Sequence, residues 1–69
     1  MTSAPDRPFA TLTEADLDAR IARNREQQAM AVAGGRSAAA KRVLAMLKQE
    51  MAQLIAERNW RADMQALPF

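Results

Sequence analysis

Residues 30–41 read MAVAGGRSAAAK, and what Gly34-Gly35-Arg36-Ser37 does within them decides the fold. Two readings compete, a phosphate-cradling loop that opens a helix and a simple turn between helices. The phosphate loop requires GxxxxGK[ST] behind a strand, and this chain has neither that spacing nor a β-rich segment ahead of the glycines. Two successive residues without Cβ instead supply the left-handed ending of a helix. Ser37 behind them suits the N-cap of the next one. The stretch is read as a turn, with an anion site at the Ser37 helix start, Arg36 beside it, as the lesser alternative.

Upstream, Leu12-Thr13-Glu14-Ala15-Asp16-Leu17 is a compact helix start. Thr13 suits the N-cap, Asp16 stands three residues on as the acidic partner, and Leu12 is placed to staple onto Leu17. Glu14, Asp16 and Asp18 fall where the helix dipole favours negative charge. The spacing predicts a helix over about 14–33 and a second over about 38–58, with a short C-terminal helical extension beyond it. Sixteen alanines against two glycines favour the same result. The expected fold is all-α: an antiparallel helical hairpin (13–58) between an extended N-terminal arm (1–12) and a C-terminal anchor segment (59–69), packing into a larger helical assembly.

At about 100° per residue, Val43, Leu44, Leu47, Met51, Leu54 and Ile55 share one face of the second helix, with Ala40 at its edge. The matching stripe of the first helix is Leu17, Ile21, Asn24, Gln28, Ala31 and Val32. Its two amides need partners if buried, and such a pair fixes register or oligomer state at some cost in stability. Ala38, Ala45, Ala52 and Ala56 line the back of the second helix, and Ala15, Ala19, Ala22, Ala29 and Ala33 that of the first. Alanine there either fills exposed helix positions or permits close approach of further helices. The eight acids are read mostly as caps or solvent-face residues.

After Ile55 the stripe fails, because Arg58 and Arg61 fall on the core face while Trp60 and Met64 point elsewhere. Trp60, Met64 and Leu67 recur at the spacing with which a short amphipathic helix presents anchors to a groove. Arg7-Pro8-Phe9 and Leu67-Pro68-Phe69 repeat one device at both ends, a proline that limits the ordering cost and an aromatic to fill a pocket. Phe9, Trp60, Met64, Leu67 and Phe69 are the expected protein-interaction residues. Arg36, Lys41, Arg42, Lys48, Arg58 and Arg61 are the residues for nucleic-acid or anion contacts.

At 69 residues the chain holds one domain, and a lone hairpin buries too little to be very stable. The absence of cysteine and histidine removes the usual zinc, copper and haem ligands and the usual nucleophile–base pairs. No cofactor, metal, catalytic residue or small-molecule substrate is expected, and no enzyme activity. The start MTSAPDRPF lacks the apolar core of a signal peptide, and no run is long enough to span a bilayer. A soluble protein of the cytoplasm or a virion follows, with no membrane partner. The first 34 residues carry four Arg against five acids and the remainder six Lys or Arg against three, so the second half is mildly basic.

The expected function is that of a non-enzymatic helical interaction subunit that oligomerises or docks on a larger complex. The alternatives are a helical hairpin that binds RNA or DNA through its basic second helix, and a small inhibitor or adaptor of one enzyme.

Overall fold

The computed structural model describes residues 7–66. Two helices, α1 (Glu14–Ala33) and α2 (Ala38–Ala66), run antiparallel and pack against each other as a hairpin. Leu67 and Phe69, the outermost of the expected anchors, lie outside the described residues.

Both helix starts follow from their caps. The Thr13 hydroxyl accepts a hydrogen bond from the Asp16 N–H at 3.1 Å, and the Ser37 hydroxyl accepts one from the Ala40 N–H at 3.1 Å. Each removes one of the orphan donors of a first turn. Between them the glycines divide the work of stopping α1. Gly34 keeps helical dihedrals, whereas Gly35 adopts φ 111° and donates its N–H to the Val32 carbonyl. Only Gly35 therefore occupies the left-handed position that side chains other than glycine avoid.

The extension beyond 58 is part of α2 itself, which continues unbroken to Ala66. No glycine or proline interrupts that stretch. At 1.5 Å per residue α2 is about 43 Å long and α1 about 30 Å, so α2 overhangs the hairpin. Residues 7–12 cover the overhang as a strap, folded by turn bonds from the Ala10 N–H to the Arg7 carbonyl and from the Leu12 N–H to the Phe9 carbonyl, both 3.1 Å.

The fully buried apolar core consists of Leu17, Ile21 and Leu54, with Phe9, Leu12, Met51 and Ile55 packed against it. Leu12 packs on the cluster that contains Leu17, as a staple would place it. Two members of the expected stripes are corrected: Val32 is 64 % and Val43 48 % exposed. They lie near the turn, where among the described residues only the two helices meet. In the open half the strap supplies the third layer, and the buried residues are there. Helical periodicity gives the direction in which a side chain points, whereas burial also needs an element on the far side. The result is a rod, 50 × 31 × 17 Å, with a radius of gyration of 14.9 Å. A compact domain of this length would measure about 11 Å.

Candidate interaction surfaces

The most densely bonded part of the molecule is the overhang. Glu57 sits one turn beyond Leu54, and its side chain is only 2 % exposed. Arg7 grips it as a fork, Nε donating to Oε1 at 3.0 Å and Nη2 to Oε2 at 2.8 Å. Arg61, one turn further along α2, donates from Nε to Oε2 at 2.6 Å. The Arg7 hydrogen bonds first, and those of Arg61 next, hold the Glu57 carboxyl down at about 2, well below the usual 4.5. A buried carboxylate is costly unless paired and fully hydrogen-bonded, and two guanidinium groups satisfy it here. The sequence reading placed this acid among the cap and solvent-face residues. That is corrected: strap and overhang together enclose it.

Arg61 also closes the strap from below. Its Nη2 donates to the carbonyls of Phe9 at 3.2 Å, Ala10 at 3.4 Å and Leu12 at 2.7 Å. An arginine on the core face of α2, where the apolar stripe fails, thus serves as an anchor for backbone that has no helix to bond to. Arg7 in turn lies over the Trp60 ring, its guanidinium carbon 3.5 Å from the centroid. That stack fixes the indole on the outer side of α2 and leaves it 40 % exposed. Phe9 faces inward against the core, with Arg20 5.4 Å from its ring centre.

A second polar cluster crosses the middle of the hairpin. Asn24 is fully buried. Its Nδ2 donates to the Leu47 carbonyl at 3.0 Å and to Glu50 Oε1 at 3.1 Å, and its Oδ1 accepts from Gln28 Nε2 at 2.7 Å. Both amides of the α1 stripe are therefore partnered. Because Asn24 reaches one carbonyl of α2, it ties the helices in a single register.

Toward the turn the surface changes character. Met30 and Met46 are 73 % and 70 % exposed, beside Val32 and Val43. Arg36, Lys41, Arg42 and Lys48 are exposed there too, and residues 27–49 contain no acid. Among the described residues none of these four enters an ion pair. Of the remaining expected residues, Arg58 is exposed and Met64 is 46 % exposed on the overhang. Arg61 stands apart from the other basic residues, because its donors are directed inside the fold.

Sequence reasoning missed Arg7 and Glu57. The one signal available was the landing of Arg61 on the core face, four residues from Glu57, which calls for a carboxylate inside. A depression of about 120 Å³ opens between Glu14, Asp18, Arg58 and Gln65. That is below the few hundred Å³ of ordinary ligand pockets. Among the described residues no group of three or more acids is placed to hold a metal ion, and no helix is long and apolar enough to cross a membrane. No protein-family model matches the chain, and neither a curated protein nor a solved structure shows significant similarity to it.

Proposed function

We propose that this protein is a non-enzymatic assembly subunit, a helical hairpin that associates with copies of itself or docks on a larger protein complex. The observation that supports this reading most directly is the balance of apolar side chains. Three are fully buried, while six large ones, Met30, Val32, Val43, Met46, Trp60 and Met64, are 40 % to 73 % exposed. Single exposed apolar residues are ordinary, but a set of this size on so small a chain is the composition of an interface core. The elongated shape fits the same reading, since further helices laid along the rod would bury what one hairpin cannot.

The strap defines what such a subunit presents. It covers the inner core at the open end while Arg7 holds Trp60 outward, and a large aromatic fixed in place is a low-entropy anchor for a partner. Sedimentation equilibrium together with circular dichroism, over the same concentration series, tests the proposal. Helicity that rises with concentration, alongside a mass above that of the 7.6 kDa chain, is expected. A fully helical monomer at micromolar concentration, unchanged on dilution, would overturn self-association and leave only docking on a larger complex.

A second reading has one specific observation in its favour. The exposed Arg36, Lys41, Arg42 and Lys48, in a stretch without acids, suit phosphate contacts by an RNA or DNA ligand. Aliphatic exposure at the same end is not something phosphates require, so this reading stands second. A monomer that binds single- or double-stranded oligonucleotides with a steep salt dependence would favour it.

A further inference from the structure

The outer side of α2 carries a pattern that α1 does not cover. Arg42, Met46, Gln49, Gln53, Ala56, Trp60 and Asp63 follow one another at alternating spacings of four and three, and every one of them is exposed. Alternation of four and three is the heptad spacing, which keeps a seam facing a second helix along its length. Here the seam runs about 31 Å between Arg42 and Asp63 at 1.5 Å per residue. Its interior carries no charge. Its two ends carry opposite charges, a cation at the turn end and an anion on the overhang.

We infer that the partner on this seam is the same seam of a second copy, laid antiparallel. The inference rests on the self-association reading above and gives it a geometry. Charge complementarity selects the occupant and the direction. In an antiparallel pair the Arg42 end of each chain lies by the Asp63 and Trp60 end of the other, so the match occurs twice about a two-fold axis near Gln53. In a parallel pair Arg42 would meet Arg42 and Asp63 would meet Asp63, and the acid-free turn ends, each with four cations that enter no ion pair among the described residues, would stand side by side. Such a surface is self-complementary, as a closed two-fold dimer requires. The seam also lies away from the stripe that faces α1, so pairing leaves each hairpin intact and produces a four-helix bundle with the two α2 helices at its centre. Arg7, stacked on Trp60, pre-orients the one aromatic in the seam. Met46, two heptads before Trp60, is a flexible apolar side chain suited to fill the space against it.

The test uses the full chain and three variants, Arg42→Glu, Asp63→Arg and the double variant. Sedimentation equilibrium measures association, and circular dichroism confirms that each chain remains helical. Each single variant is expected to associate about tenfold more weakly, since like charges then face each other at both ends of the seam. The double variant restores association. So does a one-to-one mixture of the two single variants, in which the two substituted positions meet at one end of the seam and the native Arg42 and Asp63 meet at the other.

A second measurement does not depend on charge. Under oxidising conditions Gln53→Cys, close to the axis, forms a disulfide-linked dimer, while Arg42→Cys, about 31 Å from its own copy along the antiparallel seam, does not. If the protein self-associates but the mixture fails to recover, or Arg42→Cys links as readily as Gln53→Cys, the antiparallel seam is wrong and the assembly reading survives through another face. If the wild-type chain is a stable monomer, the seam and the self-association reading it rests on fall together.

Discussion

At the scale of the residue, Glu57 decides most. Its carboxylate has almost no surface, yet it is the meeting point of two arginines fifty and four residues away. Its folded pKa of about 2 lies below the ordinary 4.5, with hydrogen bonds from Arg7 as the largest cause. A depressed acid pKa contributes stability that is present above the unfolded value and is lost as the pH falls through 4.5 toward 2. Acid should therefore loosen the strap in that window, before the rest of the hairpin responds. Glu57→Gln removes the charge while keeping the shape, leaving Arg7 and Arg61 without an anion in a half-buried site. The melting temperature should drop on the order of 5 °C or more at pH 7, because breaking a buried pair strands its partners. The acid step should also vanish from the pH profile. A variant that melts like the wild type and keeps that step would place the titration elsewhere.

At the scale of the element, the strap and α2 teach different lessons about what a sequence discloses. Three of the four helix ends were legible because each is written locally: Thr13 and Ser37 three residues ahead of the N–H they accept from, and Gly35 at the one left-handed position. The far end of α2 was not, since the helix runs past the expected 58 to Ala66. The need of Asn24 and Gln28 for partners was legible too, from two amides on an apolar stripe. The identity of those partners was not, because Leu47 and Glu50 come from the other helix. Least legible was the strap. Its contacts depend on a reversal of direction at Ala10 and Leu12 that no periodicity announces, and on pairs separated by about fifty residues. Two arginine side chains and a few apolar contacts hold it, with no backbone bond to either helix among the described residues, and Arg7 alone holds its outer end. Arg7→Ala should detach the strap at its outer end and uncover Trp60. The fluorescence of this single tryptophan should then shift to longer wavelength and become more accessible to a neutral quencher such as acrylamide, while helicity falls little. Unchanged emission and quenching would mean that Arg7 does not hold the indole.

At the scale of the whole molecule, stability should be graded along the rod. The open half has three layers: two helices with the strap across them, and all three buried apolar side chains lie there. The turn half has two layers, four exposed large apolar side chains and four cations that enter no ion pair among the described residues and repel one another. Segments with few buried contacts open at lower free energy than the global unfolding reaction. In dilute solution the amides of residues 40–46 should therefore exchange with solvent at least about tenfold faster than those of residues 51–57, although both stretches belong to one unbroken helix. Laying a second rod along the first changes that balance, since each turn half would then gain the layer it lacks. Raising the protein concentration should slow exchange in residues 40–46 more than in residues 51–57, closing the gap, as it must when binding stabilises the weaker segment. Hydrogen exchange read by mass spectrometry on peptides from the two stretches measures this directly. Equal protection in dilute solution would mean that α2 is cooperative from end to end without help, and the thin end of the rod would then not need a partner for its stability.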